Sequence, residues 1–166
     1  MKVNIALLTV TDTRTLKTDK SGNILVRKIK KGGHNLVERD ICKDSKKDIK
    51  KILKIWIKIK KIDVIITTGG TGLTGRDITP EALEEIADKH IPGFGEVFRN
   101  ISLETVGTSS IQSRACAILA NGKYIFALPG SSGGVTDAWD KILVHQLDIN
   151  HKPCNFVELF PRLKEK

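Results

Sequence analysis

Ile65–Pro80 reads Ile-Ile-Thr-Thr-Gly-Gly-Thr-Gly-Leu-Thr-Gly-Arg-Asp-Ile-Thr-Pro. It ends an apolar run, Ile62-Asp63-Val64-Ile65-Ile66, in Gly69, Gly70, Gly72 and Gly75, and Arg76-Asp77 follows. Thr79-Pro80 then suits a helix start, Thr as N-cap and Pro at the first helical position. A strand, a glycine turn and a helix in this order aim backbone N–H groups and a positive helix end at one spot, where an anion can sit. Asp77 beside that spot is a candidate metal ligand or positioning carboxylate.

The same punctuation organises the rest. Strands are expected at Val3–Val10, Asn35–Ile41 and Ile62–Thr68, with helices at Ser21–Lys31, Lys46–Lys60 and Pro80–Lys89 between and after them. Strands alternating with helices imply right-handed crossovers and a mostly parallel sheet. Pro92-Gly93-Phe94-Gly95-Glu96 reads as a break before a helix from Glu96 to Glu104. Asn121-Gly122 between the apolar runs Ala115–Ala120 and Tyr124–Leu128 predicts a small antiparallel hairpin. A second glycine loop, Pro129–Gly134, leads into a helix over Val135–Leu147. The tail from Asp148 reads as extended chain, with Cys154–Val157 as an edge strand or an arm to a neighbouring subunit. No linker or repeat interrupts the 166 residues, so one domain is expected.

The formal net charge of +9 invites a nucleic-acid reading. Composition argues against it: lysine and isoleucine each number 21, as an AT-biased genome would give, and arginines number only 7. The densest basic stretch, Lys46–Lys61, has Ile49, Ile52, Leu53 and Trp56 at helical spacing and reads as an amphipathic helix with a solvated lysine face. Aromatic content is 5%, low for a surface that stacks bases. No apolar run is long enough for a membrane span, and the start reads as a strand rather than a leader, so a cytoplasmic protein is expected. Cys42, Cys116 and Cys154 lack metal-ligand or disulfide spacing, and the four histidines form no metal motif. His145 is expected to face solvent.

Three loops follow strands: Thr11–Thr15, Thr68–Thr79 and Pro129–Gly134. In an open parallel sheet such loops share a crevice at the carboxyl ends of the strands. They bring Thr11, Asp12, Gly69, Gly70, Thr71, Gly72, Arg76, Asp77, Pro129, Gly130 and Ser131, and the turn after the second strand adds Asp44. Asp44 and Asp77 beside an anion-binding turn suggest a Mg²⁺ site for phosphoryl or nucleotidyl transfer. Taken alone, Asp44 reads as a cap of the lysine helix; Asp77 does so less, because Thr79 takes that position. Gly70 to Gly75 has the Walker A glycine spacing, but Arg76-Asp77 stands where Lys and Ser/Thr belong, and an acid there needs a bridging cation. A dinucleotide fold is a weak alternative, since the pattern is not G-x-G-x-x-G. Ser109, Ser110, Ser113 and Arg114 form a further polar segment suited to phosphate. No nucleophile–histidine pair supports acyl transfer.

These motifs resemble the MoaB/MogA family of molybdenum cofactor biosynthesis proteins. The resemblance rests on Leu8–Arg14, Thr68-Gly69-Gly70-Thr71-Gly72, Arg76-Asp77-Ile78-Thr79-Pro80-Glu81-Ala82, Pro92–Glu96, Gln112-Ser113-Arg114 and Pro129-Gly130-Ser131, in order over nearly the whole chain. Pro153-Cys154-Asn155-Phe156 is closer to the MoaB branch. The resemblance implies an α/β molybdopterin-binding domain, a three-layer sandwich around a mostly parallel sheet, assembled as a trimer or hexamer. It implies ATP and molybdopterin as substrates, adenylylation of the pterin phosphate, and Asp44 and Asp77 as catalytic residues holding Mg²⁺. The glycine turn, Ser109–Arg114 and Pro129–Ser131 would hold pterin and phosphate. Two departures stand out: Thr11 replaces a Ser common among relatives, and Ser132-Gly133-Gly134 replaces a Lys-Ala type pair. The second motivates an alternative, a non-catalytic pterin-binding or assembly protein. A nucleotide pyrophosphatase like the competence-damage-inducible relatives is disfavoured by Thr71 and Leu73-Thr74.

Overall fold

Three strands with near-continuous apolar runs are buried along both faces and form the centre of one sheet, and a fourth parallel strand, half-exposed, lies at its edge. The computed structural model describes residues 1–165. In chain order the strands are β1 (Asn4–Val10), β2 (Asn35–Cys42), β3 (Val64–Thr68), β4 (Lys89–His90), β5 (Cys116–Ala120) and β6 (Lys123–Leu128). They lie in the order β2-β1-β3-β6-β5-β4; β2, β1, β3 and β6 are parallel, and β5 and β4 add on antiparallel. The helices are α1 (Lys20–Lys31), α2 (Lys46–Trp56), α3 (Thr79–Glu84), α4 (Pro92–Val106) and α5 (Ser132–Ala138). A π-helical turn at Trp139–Leu143 and a last turn, Val144–Gln146, extend α5.

Alternation along each strand splits the core in two. Ile5, Leu7, Val64, Ile66, Phe126 and Leu128 pack under α1, α4 and α5. Ala6, Leu8, Val10, Ile65, Ile125 and Ala127 pack under α2 and α3. The result is the expected three-layer α/β sandwich. Because β2 and β3 flank β1 on opposite sides, the chain switches direction at β1/β3, and a crevice opens there at the carboxyl ends. Register keeps those ends level: Val10 pairs with Cys42, Thr9 with Thr68, and Thr68 with Leu128.

Four sequence expectations are corrected. The helix from Pro80 stops at Glu84, and Lys89–His90 becomes β4, pairing with Leu119 and Ile118; this covers an edge that β5 would otherwise leave open. Helix α4 begins at Pro92, not Glu96, because Pro is at home in the first turn. Gly95 belongs to that helix: a Cβ there would lie 2.6 Å from the Ala115 carbonyl. The helix expected from Val135 begins at Ser132, its N-terminus capped by the Ser131 hydroxyl. The tail forms no edge strand. Asn155 accepts from Glu158 N–H at 3.0 Å, a 3₁₀ turn runs over Val157–Arg162, and Phe156 packs on Tyr124 with ring centroids 4.7 Å apart. His145 is exposed, as expected. No helix among the described residues is long and apolar enough to cross a membrane.

Candidate functional site

The strand-end loops enclose a cleft of about 1280 Å³. Thr11, Asp12, Asp44, Gly69, Gly70, Thr71, Gly72, Arg76, Asp77, Ser109, Ser110, Ser113, Pro129, Gly130 and Ser131 all line it. Arg114 does not. Its Nε donates to Gly72 O at 2.7 Å, its Nη2 to Asp77 O at 2.8 Å, and its Nη1 to Glu81. Arg114 therefore clamps both ends of the glycine turn from behind. Burial, the largest single effect, pushes the Glu81 carboxyl up, but the Arg114 bond, a backbone bond and the charges of Arg114 and Lys46 together take it below its ordinary value.

The turn is built by close approach. Gly69 has φ +103°, and a Cβ there would sit 2.2 Å from Val10 O; Gly70 has φ +68°, and its Cβ would meet Thr79 Oγ1 at 2.3 Å. Both backbones are in the region that favours glycine. Thr79 is not the helix cap that the sequence suggests. Ile78 holds that position without a side-chain bond, while Thr79 Oγ1 donates to Gly69 O at 2.9 Å. Asp77 Oδ2 instead accepts from Thr74 N at 2.9 Å and Thr74 Oγ1 at 2.6 Å. The Thr74 hydroxyl leads the effects that hold Asp77 below the usual carboxylate range.

Asp44 is not a helix cap either. Ser45 caps α2, accepting from Asp48 N at 3.2 Å. Asp44 Oδ1 is buried with no hydrogen-bond partner. Burial first, then the charges of Asp77 and Asp12, raise the Asp44 carboxyl above its ordinary value. Asp12 Oδ1 accepts from Asp44 N at 3.3 Å, and Asp12 also pairs with Arg76. Among the lining residues Arg76 is the only basic side chain, against Asp12, Asp44, Asp77 and Asp137. No group of three or more His, Cys, Asp or Glu among the described residues makes an all-protein metal cage. An open pair such as Asp44 and Asp77 suits a small hard cation, which keeps waters and takes its remaining oxygens from phosphate. The orphaned Asp44 oxygen and its raised carboxyl fit that role.

The sequence reading missed the wall given by α4 and α5: Phe98, Ser102, Thr105, Thr136 and Asp137. Ser102 and Thr105 follow Phe98 at helical spacing, so hydroxyls on an otherwise apolar stripe were the available signal. Asp137, which accepts from Thr105 Oγ1 at 3.2 Å, had none.

The family profile described as "Probable molybdopterin binding domain" matches residues 6–149. The chain belongs to this family. Its resemblance to a relative named molybdenum cofactor biosynthesis protein B from Escherichia coli K12 is 44% identity over 97% of this chain and 93% of that one. A crystal structure of a molybdenum cofactor biosynthesis protein B superimposes with TM-score 0.89 at 38% identity, covering 100% of this chain and 98% of that chain. The tungsten cofactor synthesizing protein MoaB from Pyrococcus furiosus gives 0.74 at 34%, covering 86% and 91%. The cleft thus lies in a molybdopterin-binding domain of the cofactor biosynthesis family, and its strand-end loops fall within the matched residues.

Proposed function

We propose that this protein binds molybdopterin and, with Mg-ATP, adenylylates its terminal phosphate in the cytoplasm. A pterin phosphate oxygen attacks the α-phosphorus of ATP, the bond from that phosphorus to the bridging oxygen breaks, and pyrophosphate leaves. The observation that carries the reading is the unpartnered, buried Asp44 oxygen beside Asp12 and Asp77 in a cleft with one basic side chain. Such a cleft repels a triphosphate unless a cation lies between them. Asp44 and Asp77 would hold Mg²⁺, which offsets charge on the triphosphate and the leaving pyrophosphate. Gly69–Gly72 present backbone at close range, and the hydroxyls of Ser109, Ser110 and Ser113 offer uncharged partners. The printed names of the relatives concern molybdenum and tungsten cofactor synthesis and support the pterin as ligand. A trimer or hexamer belongs to the same reading.

The test is incubation of protein, molybdopterin and Mg-ATP, with adenylylated product followed by mass. Asp77→Asn is expected to lower turnover by about 10²–10³-fold while pterin binding persists. Pterin binding with no product from the unaltered protein would replace the reading with a non-catalytic carrier, the alternative that Ser132-Gly133-Gly134 motivates.

A further inference from the structure

Beside the cleft, without lining it, lies a network around the buried carboxylate of Asp19. Asp19 is 1% exposed and caps α1, accepting from Gly22 N at 2.9 Å. Its other oxygen accepts from Thr9 Oγ1 at 2.6 Å and from Arg39 Nη2 at 3.2 Å. The local sequence is shaped to it: a Cβ on Gly22 would stand 1.9 Å from Asp19 Oδ2. Ser21, one residue into the capped helix, lies 3.2 Å from Thr68 Oγ1, and Thr68 Oγ1 lies 2.8 Å from Pro129 O. One hydroxyl proton serves one acceptor: the shorter bond to Pro129 O holds the Thr68 proton, Ser21 gives its single hydrogen to Thr68 Oγ1 rather than to Asp19 Oδ1 at 3.4 Å, and Asp19 holds Ser21 in place through the capped Gly22 N–H. The network therefore ties β2 (Arg39), β1 (Thr9), the start of α1, β3 (Thr68) and the loop after β6 (Pro129). Val10, Gly69 and Pro129, the residues next along the chain or directly bonded, line the cleft. At Gly130 an added Cβ would come 3.4 Å from Gly69 Cα, so the two glycine loops touch where this network ends.

We infer that Asp19 is a positioning residue: through Ser21 and Thr68 it sets the Pro129–Gly134 loop against the Gly69 turn and so fixes the width of the cleft. It touches no reacting atom. Its place in catalysis rests on the proposed function; its hold on the loop does not. The full chain is compared as Asp19→Asn, which removes the charge facing Arg39, and Thr68→Val, which keeps shape and capping but cuts the bond to Pro129. Both are expected to raise amide exchange about tenfold at Gly69, which donates to Leu128 O, and at Val135, which donates to Ser131 O, leaving Ile49–Leu53 protected. Both should weaken Mg-ATP binding by about tenfold, with KM rising and kcat little changed. Leu53→Ala, a purely structural control in the core, lowers Tm without either effect. Should Asp19→Asn fail to fold, Thr68→Val alone decides. Unchanged exchange at Gly69 and Val135 in Thr68→Val overturns the inference. Altered exchange in a protein that never binds Mg-ATP supports the loop role and removes the proposed function; altered exchange with unaltered Mg-ATP binding in both variants overturns the claim that the network fixes the width of the cleft.

Discussion

Helix α2 and the cleft carry opposite charge, and a carboxylate near each responds in opposite ways. Glu85 accepts from Lys46 and Lys50, and those bonds hold it down at about 2. Asp44 sits one residue before the α2 cap, faces the cleft, and is pushed up by burial, Asp77 and Asp12. The first carboxylate is satisfied at the surface; the second awaits a partner. Half of the 28 basic residues fall between Arg27 and Lys61, yet only Arg76 lines the cleft. Net charge therefore describes the solvated face of this protein and says nothing of its site, where acids dominate.

The largest effect is expected where the cleft depends on backbone approach. Gly69→Ala forces φ +103° on a Cβ that meets Val10 O; a loss of about 2–4 kcal/mol, measured by urea denaturation, should accompany it. Full stability in that variant would break the idea that the cleft is more tightly constrained than α2. Arg114→Met comes next. It frees the carbonyls of Gly72 and Asp77 and leaves Glu81 unpaired, so about 1–3 kcal/mol should be lost and Mg-ATP binding weakened; calorimetric titration reads the second.

Asp44→Asn sharpens the comparison because it should stabilise. The folded state holds the Asp44 proton above the ordinary carboxylate range, so stability falls as pH rises through the raised value, and the penalty persists at neutral pH. The variant should melt about 1–2 °C higher at pH 7 without metal, given screening of a partly exposed group. The gain should vanish below about pH 3.5, where the group is protonated both folded and unfolded. Added Mg²⁺ should raise the Tm of the unaltered protein and leave the variant unmoved. Smallest is the Lys51→Glu/Lys54→Glu pair on α2: less than about 0.5 kcal/mol in stability and no change in Mg-ATP affinity. A fall in that affinity would show that the lysine face serves the cleft after all.

Much of this was legible. Apolar runs emptying into Gly69-Gly70, Asn121-Gly122 and Pro129-Gly130 located the parallel strands and the hairpin, since glycine and turn chemistry are local. Gathering Asp12, Asp44 and Asp77 needed only the rule that ligands sit at strand carboxyl ends. Errors came where a neighbour in space decided. The edge of β5 drew Lys89–His90 out of a helix, and close packing against Ala115 made Pro92–Gly95 helical rather than a break.

By itself the sequence determined the order of the five long strands and the main helices, the glycine turn and the acids beside it, because each is written in residues a few positions apart. Tertiary structure decided which side chains were already spoken for. Arg114, a fitting phosphate ligand in sequence, is spent on carbonyls of the turn and on Glu81, and Ser45 relieves Asp44 of capping so that its oxygen is left free. A hydrogen bond is satisfied once, and only the folded chain shows by whom.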